Sequence, residues 1–222
     1  MKLRIALAAL AGAALMSSAA QAATIFAQNF NSGTLGANES VGGIFAVKNG
    51  QMGHVDGTRN NDYSYYDLTL DLANYTDALL RFDFSIDSEW SYDGFNVIAA
   101  TGAFSPPNGL LTPSEGAWGT MSNNLSNLGK KAISGKQDGA LLFDLTQFAG
   151  QTVNLRFQYQ SDWGAQGRGV LFDNILATGT AIPGAGAVPE PATWAMLIFG
   201  FFGSGAMLRQ SRRRNGLAQA RA

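Results

Sequence analysis

Three acidic residues lie close together in the middle of the chain, and a fourth follows much later. Asp87, Glu89 and Asp93 come directly after a strand-like run, and Asp173 lies in the last such run. Carboxylate oxygens are hard ligands that suit Ca²⁺, so these four residues predict a structural calcium site. The alternative is that they are solvated turn acids, with Asp173 bonded to backbone donors. Asp144 either joins this group or caps a turn.

The same acids raise the question of catalysis. Glycoside hydrolysis uses two carboxyl groups on either side of a sugar, so a secreted carbohydrate-active enzyme that uses Glu89 and Asp93 is an alternative function. His54 lies near Asp56, but the sequence contains no Gly-x-Ser-x-Gly elbow that would support a serine triad. We predict a protein that is not an enzyme and has no catalytic residues.

Four aromatic residues fall in loop-like stretches outside the alternating runs. Flat rings with polar edges can stack on sugars, and this predicts glycan contact by these side chains. The alternative is that the rings pack over the ends of the folded core. The four residues are Trp90, Tyr92, Trp118 and Trp163.

The composition excludes several kinds of site. The 222 residues include no cysteine and one histidine. A disulfide scaffold, a thiol nucleophile, an iron–sulfur cluster and a thiolate or multi-histidine zinc centre are therefore absent. The acidic stretch from Asp56 to Asp62 lacks the glutamate and the spacing of an EF-hand loop, and we interpret it as a turn. No cofactor is predicted except the structural Ca²⁺.

Short runs of alternating apolar and polar residues recur between residues 23 and 178. Such alternation is typical of half-buried strands, and no run is followed by a long amphipathic helix. The stretch from Thr101 to Gly139 gives few strand signals and suggests a short helix after Pro113. We predict an all-β fold, an antiparallel jelly-roll β-sandwich. The runs are 65–72, 79–87, 95–99, 140–145, 153–160 and 170–176.

Three phrases in the body, in order, resemble a known group of domains. They span Leu80–Phe95, Phe143–Tyr159 and Gly167–Ile175, and together they resemble the MAM-like jelly rolls of bacterial surface proteins, including the "choice-of-anchor" group. The resemblance implies a domain without catalysis that binds glycans or proteins, or acts as a spacer. It also implies that the acidic turn within the first phrase, from Asp87 to Asp93, approaches Asp173, which makes a Ca²⁺-dependent adhesin a third possible function.

The first 22 residues have the features of a secretory signal peptide. Lys2 and Arg4 precede a short apolar run, which ends in Ala20-Gln21-Ala22. We predict entry through the Sec translocon and cleavage by signal peptidase between Ala22 and Ala23.

The C-terminal region predicts a membrane segment. Residues 194–208 are apolar with a tryptophan at the start, and residues 209–214 contain four arginines, which the positive-inside rule keeps cytoplasmic. A Gly/Ala/Pro linker (179–187) precedes this segment, and a polar tail (215–222) follows it.

Residues 188–214 resemble the PEP-CTERM sorting signal of Gram-negative bacteria, a segment that has also been labelled an ice-binding protein C-terminal domain. The motif is Pro189-Glu190-Pro191, followed by Ala-Thr-Trp-Ala-Met, a hydrophobic helix and an arginine cluster. The resemblance implies recognition by exosortase, transient anchoring in the inner membrane, and delivery to the cell surface or the exopolysaccharide matrix of a biofilm.

The charge is unevenly distributed along the chain. The whole sequence has a net charge of −1, but seven of its 15 basic residues lie in residues 1–22 or 188–222. Residues 23–178 contain eight basic and fifteen acidic residues, a net charge of −7. An acidic body disfavours nucleic acid and anionic polysaccharide as direct ligands.

Overall fold

The structure is a computed structural model that describes residues 22–182. The PEP motif, the predicted membrane helix, the arginine cluster and nearly all of the signal peptide lie outside the described residues. No helix within residues 22–182 is long and apolar enough to cross a membrane. The strands are β1 (Ala22–Gln28), β2 (Glu39–Gly42), β3 (Phe45–Lys48), β4 (Gln51–His54), β5 (Tyr63–Asp71), β6 (Tyr75–Asp87), β7 (Gly94–Ala100), β8 (Pro113–Glu115), β9 (Gly119–Leu125), β10 (Gly129–Ala132), β11 (Lys136–Asp144), β12 (Thr152–Gln160) and β13 (Gly169–Ala181).

Two antiparallel sheets face each other across the core. The larger sheet has seven strands in the order β3-β4-β13-β6-β11-β8, and β1 also pairs with β13. The smaller sheet has the order β2-β5-β12-β7, and β9 and β10 form a separate hairpin. The prediction of an all-β antiparallel sandwich is confirmed. The one helical segment among the described residues is a three-residue 3-10 turn at Thr146–Phe148.

Aromatic and branched side chains from both sheets fill the space between them. β6 points four side chains into the core, those of Leu80, Phe82, Phe84 and Ile86. They meet side chains from β5, β12 and β13, where Phe157 and Phe172 stack with ring centroids 5.3 Å apart. Burial of this apolar surface is the main favourable contribution to folding.

A bulge in β13 reverses the alternation of its side chains. Phe172 and Ile175 both point into the core although an odd number of positions separates them. The pairing with β6 shifts register between Asp173 and Leu176, and Asn174 within this step has a φ of 53°. An extra residue in one strand produces this switch of face.

Residues 101–139 contain strands where the sequence suggested few, and the predicted short helix after Pro113 is wrong. Residues 113–115 form β8 instead. The hairpin of β9 and β10 lies over the outer face of the smaller sheet, where Asn96 and Gln158 are buried. Asn96 donates from Nδ2 to the carbonyl oxygens of Leu128 and Lys131, at 3.1 and 2.7 Å. These bonds satisfy the polar groups that the hairpin covers.

The chain enters and leaves the sandwich at the same end. Ala22 of β1 pairs with Thr180 of β13, and β13 continues to Ala181, beyond the domain boundary at 178 that the sequence predicted. β6 runs from this end to Asp87 at the other, about 40 Å away at the usual rise of a strand. We call the far end, formed by residues 55–62, 88–93 and 161–168, the loop end.

Candidate functional site

Three carboxyl groups meet at the loop end. One oxygen each of Glu89, Asp93 and Asp162 lies within 4.8 Å of the others. Glu89 and Asp93 belong to the loop between β6 and β7, whereas Asp162 lies in the loop between β12 and β13. The chain thus brings together two of the predicted site residues and one that the sequence analysis did not single out.

The other two predicted ligands lie elsewhere, so the four-residue calcium site of the sequence analysis does not form. Asp87 remains at the end of β6, with its carboxylate 3.5 Å from Nζ of Lys136. Asp173 lies opposite Asp83 in the larger sheet and accepts a hydrogen bond from the backbone of Asn174. Asp144 accepts from the backbone N–H of Thr146 at 2.8 Å, which is the capping role.

The carboxylates of the cluster fasten three segments to one another. Asp93 accepts from the backbone N–H of Asp162 at 3.0 Å and from the Tyr159 hydroxyl at 3.3 Å. Glu89 accepts from the backbone N–H of Ala165 at 3.0 Å. Asp162 accepts from Nδ2 of Asn123 in β9 at 3.1 Å. Hydrogen bonds that involve a charged acceptor are the stronger ones, so the cluster braces the loop end.

Burial and like charges raise the pKa of Asp93. The side chain is 0% exposed, and removal from water disfavours the charged form. Nearby Asp162 and Glu89 add repulsion, and together these effects bring the pKa of Asp93 to about 6 despite the backbone donors. The carboxyl group of Asp93 therefore titrates just below neutral pH.

Two members of the cluster, Glu89 and Asp162, are half-buried and have oxygens of the type that Ca²⁺ takes. Asp93 could supply a third ligand only from inside the protein. Each of the three carboxylates already accepts a hydrogen bond from the chain. These hydrogen bonds, which join the loops to each other and to β9, explain the position of the three acids without an ion.

Three of the four predicted aromatic residues are exposed at the loop end. Trp90 is 73% exposed, Trp163 is 76% exposed and Tyr92 is 45% exposed. Trp118 differs, because it donates from Nε1 to the carbonyl of Leu111 at 2.6 Å and packs against Phe143. The ring of Trp118 is half-buried and packs over the core, which is the alternative that the sequence analysis gave for the four aromatic residues.

The backbone around Trp90 is fixed although its ring is exposed. The next residue, Ser91, donates its N–H to Oγ of Ser134 at 2.7 Å and accepts at its own Oγ from the N–H of Ser122. Gly135 has a φ of +79°, and a Cβ there would lie 2.5 Å from Cε3 of Trp90. The indole of Trp90 therefore packs against Gly135, where both the positive φ and the lack of space for a Cβ favour glycine.

A second polar group is buried near the loop end and has a structural role. Nε2 of His54 lies 2.6 Å from Oδ2 of Asp62, and Nδ1 accepts from the backbone N–H of Val170. Ser64 donates to Asp62, not to the histidine. The histidine is 1% exposed, so no substrate reaches it. The exclusion of a serine triad stands.

Asp162 is the site residue that sequence reasoning missed. It follows the clean alternation of β12 by two positions and precedes Trp163. An acid next to an exposed tryptophan at a strand end was the available signal. Its partners Asp93 and Asn123 are 69 and 39 positions away in the chain, so local spacing does not reveal the cluster.

No family model and no curated protein matches this chain. The solved structures to which it is similar include the K3 cleaved adhesin domain of Lys-gingipain from Porphyromonas gingivalis, with a TM-score of 0.39 and 12% identity over 70% of this chain and 98% of that one. Two others are carbohydrate-binding modules. TmCBM27, which recognises mannan, has a TM-score of 0.37 and 11% identity over 73% of this chain and 100% of that one. The family 11 module of a Clostridium thermocellum cellulase has a TM-score of 0.35 and 11% identity over 76% and 99%. At these identities we draw the function from this chain's own residues.

Proposed function

We propose that this protein is an exported, non-enzymatic binding protein of jelly-roll type that contacts neutral glycans through Trp90 and Trp163 at its loop end. The single observation that carries the proposal is the exposure of these two indoles, each about three-quarters open, on loops that carboxylates fasten together. Indole faces stack on the apolar faces of sugar rings.

The rigidity of the loop end supports binding. A contact surface that is ordered before the ligand arrives loses less conformational entropy on binding. Asp93 and Glu89 connect the two tryptophan loops, and Gly135 accommodates the indole of Trp90. Exposed aromatic side chains on such a fixed frame are typical of recognition surfaces.

The geometry favours binding over hydrolysis by the same acids. A glycosidase needs two carboxyl groups that both reach the substrate. Asp93 is fully buried, and Glu89 and Asp162 accept hydrogen bonds from the protein. A sugar at the surface would meet the indoles and not a pair of free acids.

The terminal signals fit an exported surface protein. The PEP-CTERM resemblance supports sorting by exosortase, and the signal peptide supports passage through the Sec translocon. β1 begins and β13 ends at the end opposite the tryptophans, so the residues before β1 and the residues after β13 continue from that end. A body anchored by its tail would present the loop end about 40 Å from the point of attachment.

A glycan array tests the proposal. Full-length protein, purified in mild detergent, is applied in Ca²⁺ and again in EDTA. We expect binding to neutral glycans in both conditions. Binding that EDTA abolishes would favour the Ca²⁺-dependent adhesin, release of reducing sugar would favour the enzyme, and an array without signal would contradict glycan binding.

A further inference from the structure

The two exposed tryptophans lie on loops that contact each other directly. Glu89, the residue before Trp90, accepts a hydrogen bond from the backbone N–H of Ala165 at 3.0 Å. Its Oε2 also packs against Gly164, the residue after Trp163, where a Cβ would clash. A second hydrogen bond fastens the same two loops on the other side. Each tryptophan is therefore one residue away from a contact between the loops, and the two indoles belong to one continuous surface.

This surface is open around the rings. Trp90 and Trp163 are 73% and 76% exposed, and the three residues after Trp163 are exposed as well. Two of these three, Gly164 and Ala165, have little or no side chain. A site for a single small molecule encloses most of its ligand. The small, exposed residues beside Trp163 do not enclose a ligand, so a chain can continue past the indole.

A contact with one open ring is weak on its own, because it must offset the translational and rotational freedom that a ligand loses on binding. Once a chain has reached the first ring, contact with the second is intramolecular and avoids most of that loss. We propose, as a step that rests on the proposed function, that Trp90 and Trp163 are two subsites of a single site, which binds an interior stretch of a linear neutral glycan.

Chain length and stoichiometry test the single site. A glycan array carries linear oligomers of glucose, mannose and galactose, from monomer to hexamer, and the series that binds best is titrated by calorimetry into full-length protein in mild detergent. We expect one hexamer per protein molecule. Its affinity should be at least about tenfold higher than that of the dimer, because the longer chain contacts both rings.

Single substitutions show whether the rings act on the same chain. Trp90→Ala and Trp163→Ala should each lower the affinity for the hexamer about tenfold, with the stoichiometry unchanged and the dependence on chain length largely lost. Leu176→Ala is the matched control, since it truncates a 39% exposed side chain on β13 away from the loop end. This variant should bind the hexamer as the wild type does.

The outcomes separate this inference from the proposed function. Two hexamers per protein, with one lost in each tryptophan variant, would show two independent sites and overturn the single site. Equal affinities for the dimer and the hexamer, or array binding confined to branched or terminal sugars, would overturn the interior stretch while glycan binding stands. An array without signal would instead defeat the proposed function. Thermal melting checks that the tryptophan variants are folded.

Discussion

At the scale of single residues, Asp93 shows how the loop end combines burial with charge. Its carboxylate bonds to the neighbouring loop and to Tyr159, yet it is closed to water and lies near two other acids. The hydrogen bonds lower the pKa, and burial with repulsion raises it by more, to about 6. Asp93 therefore holds the two loops together, and the free-energy cost of burying its charged form depends on pH.

The pH dependence of stability follows from the raised pKa. Between pH 4 and pH 6 the folded protein holds the Asp93 proton more tightly than the unfolded chain, so the contribution of this residue to the free energy of unfolding falls as pH rises. In Asp93→Asn this component is absent. We expect the stability of the wild type relative to the variant to fall by about 1–3 kcal/mol between pH 4 and pH 7. Urea denaturation measures it, and parallel pH profiles would contradict it.

We expect Gly135 to affect the position of the Trp90 indole as well as the local backbone conformation. Gly135→Ala combines a positive φ with a Cβ against Trp90, whereas Gly150→Ala has nearly the same φ, +77°, with no atom within 4 Å. Both variants should lose about 1 kcal/mol of unfolding free energy. Only Gly135→Ala should shift the tryptophan emission spectrum and weaken glycan binding. Identical spectra and affinities in the two variants would contradict the role of Gly135.

At the scale of strands, alternation in the sequence predicted the centre of the fold. β5, β6 and the first half of β12 each have one face against the core and one toward the outside, so period-two patterning is strong. β7 is buried on both faces because the β9–β10 hairpin covers it, and this removes the alternation. The hairpin itself packs a small cluster of its own, so its pattern is weak as well. β1 to β4 are short or lie at sheet edges, and they gave no clear signal.

The candidate site was predictable only in part for the same reason. Glu89 and Trp90 stand out locally, since they follow a strand that alternates. Asp162 joins them through the pairing of β12 with β7 and the turn into β13. The alternation of β13 did not indicate the bulge at Asn174, which requires a residue that tolerates positive φ.

The bulge of β13 gives a test at the element scale. Asn174 has a φ of 53° and donates from Nδ2 to Asp83 at 2.9 Å. A β-branched residue is strained in this conformation, so Asn174→Val should lower the free energy of unfolding by about 2 kcal/mol. Asn174→Gly keeps the backbone freedom and should lose less than half as much. Chemical denaturation compares them, and equal losses would show that the φ angle is not the cause.

At the scale of the whole molecule, the body differs in charge from the two ends of the sequence, and the first and last strands of the sandwich meet opposite the loop end. The basic residues near the two ends of the sequence offset the acidic residues of the body, and β1 begins beside the end of β13, at one end of the sandwich. The binding surface that we propose lies at the other end.

Replacement of Pro189, Glu190 and Pro191 by alanine tests the sorting step. In a host with exosortase we expect the variant to keep its tail and to remain with the inner membrane, because the extended recognition segment is lost. Alanine in place of Gly184 and Gly186 in the linker is the matched control and should be processed normally. Intact-mass spectrometry and fractionation give the result. Normal processing of the triple variant would contradict exosortase sorting.

The proposed glycan binding depends most on the two exposed indoles, and their joint removal tests it most directly. The measurement is the affinity of full-length protein for its best array glycan, in the wild type, in Trp90→Ala/Trp163→Ala and in Leu79→Ala. Leu79 is a 38% exposed apolar residue on β6, away from the loop end, and serves as the control. Loss of stacking at two rings predicts an affinity at least about 30-fold lower in the double variant and unchanged in the control. Wild-type affinity in a folded double variant would contradict glycan binding at the loop end.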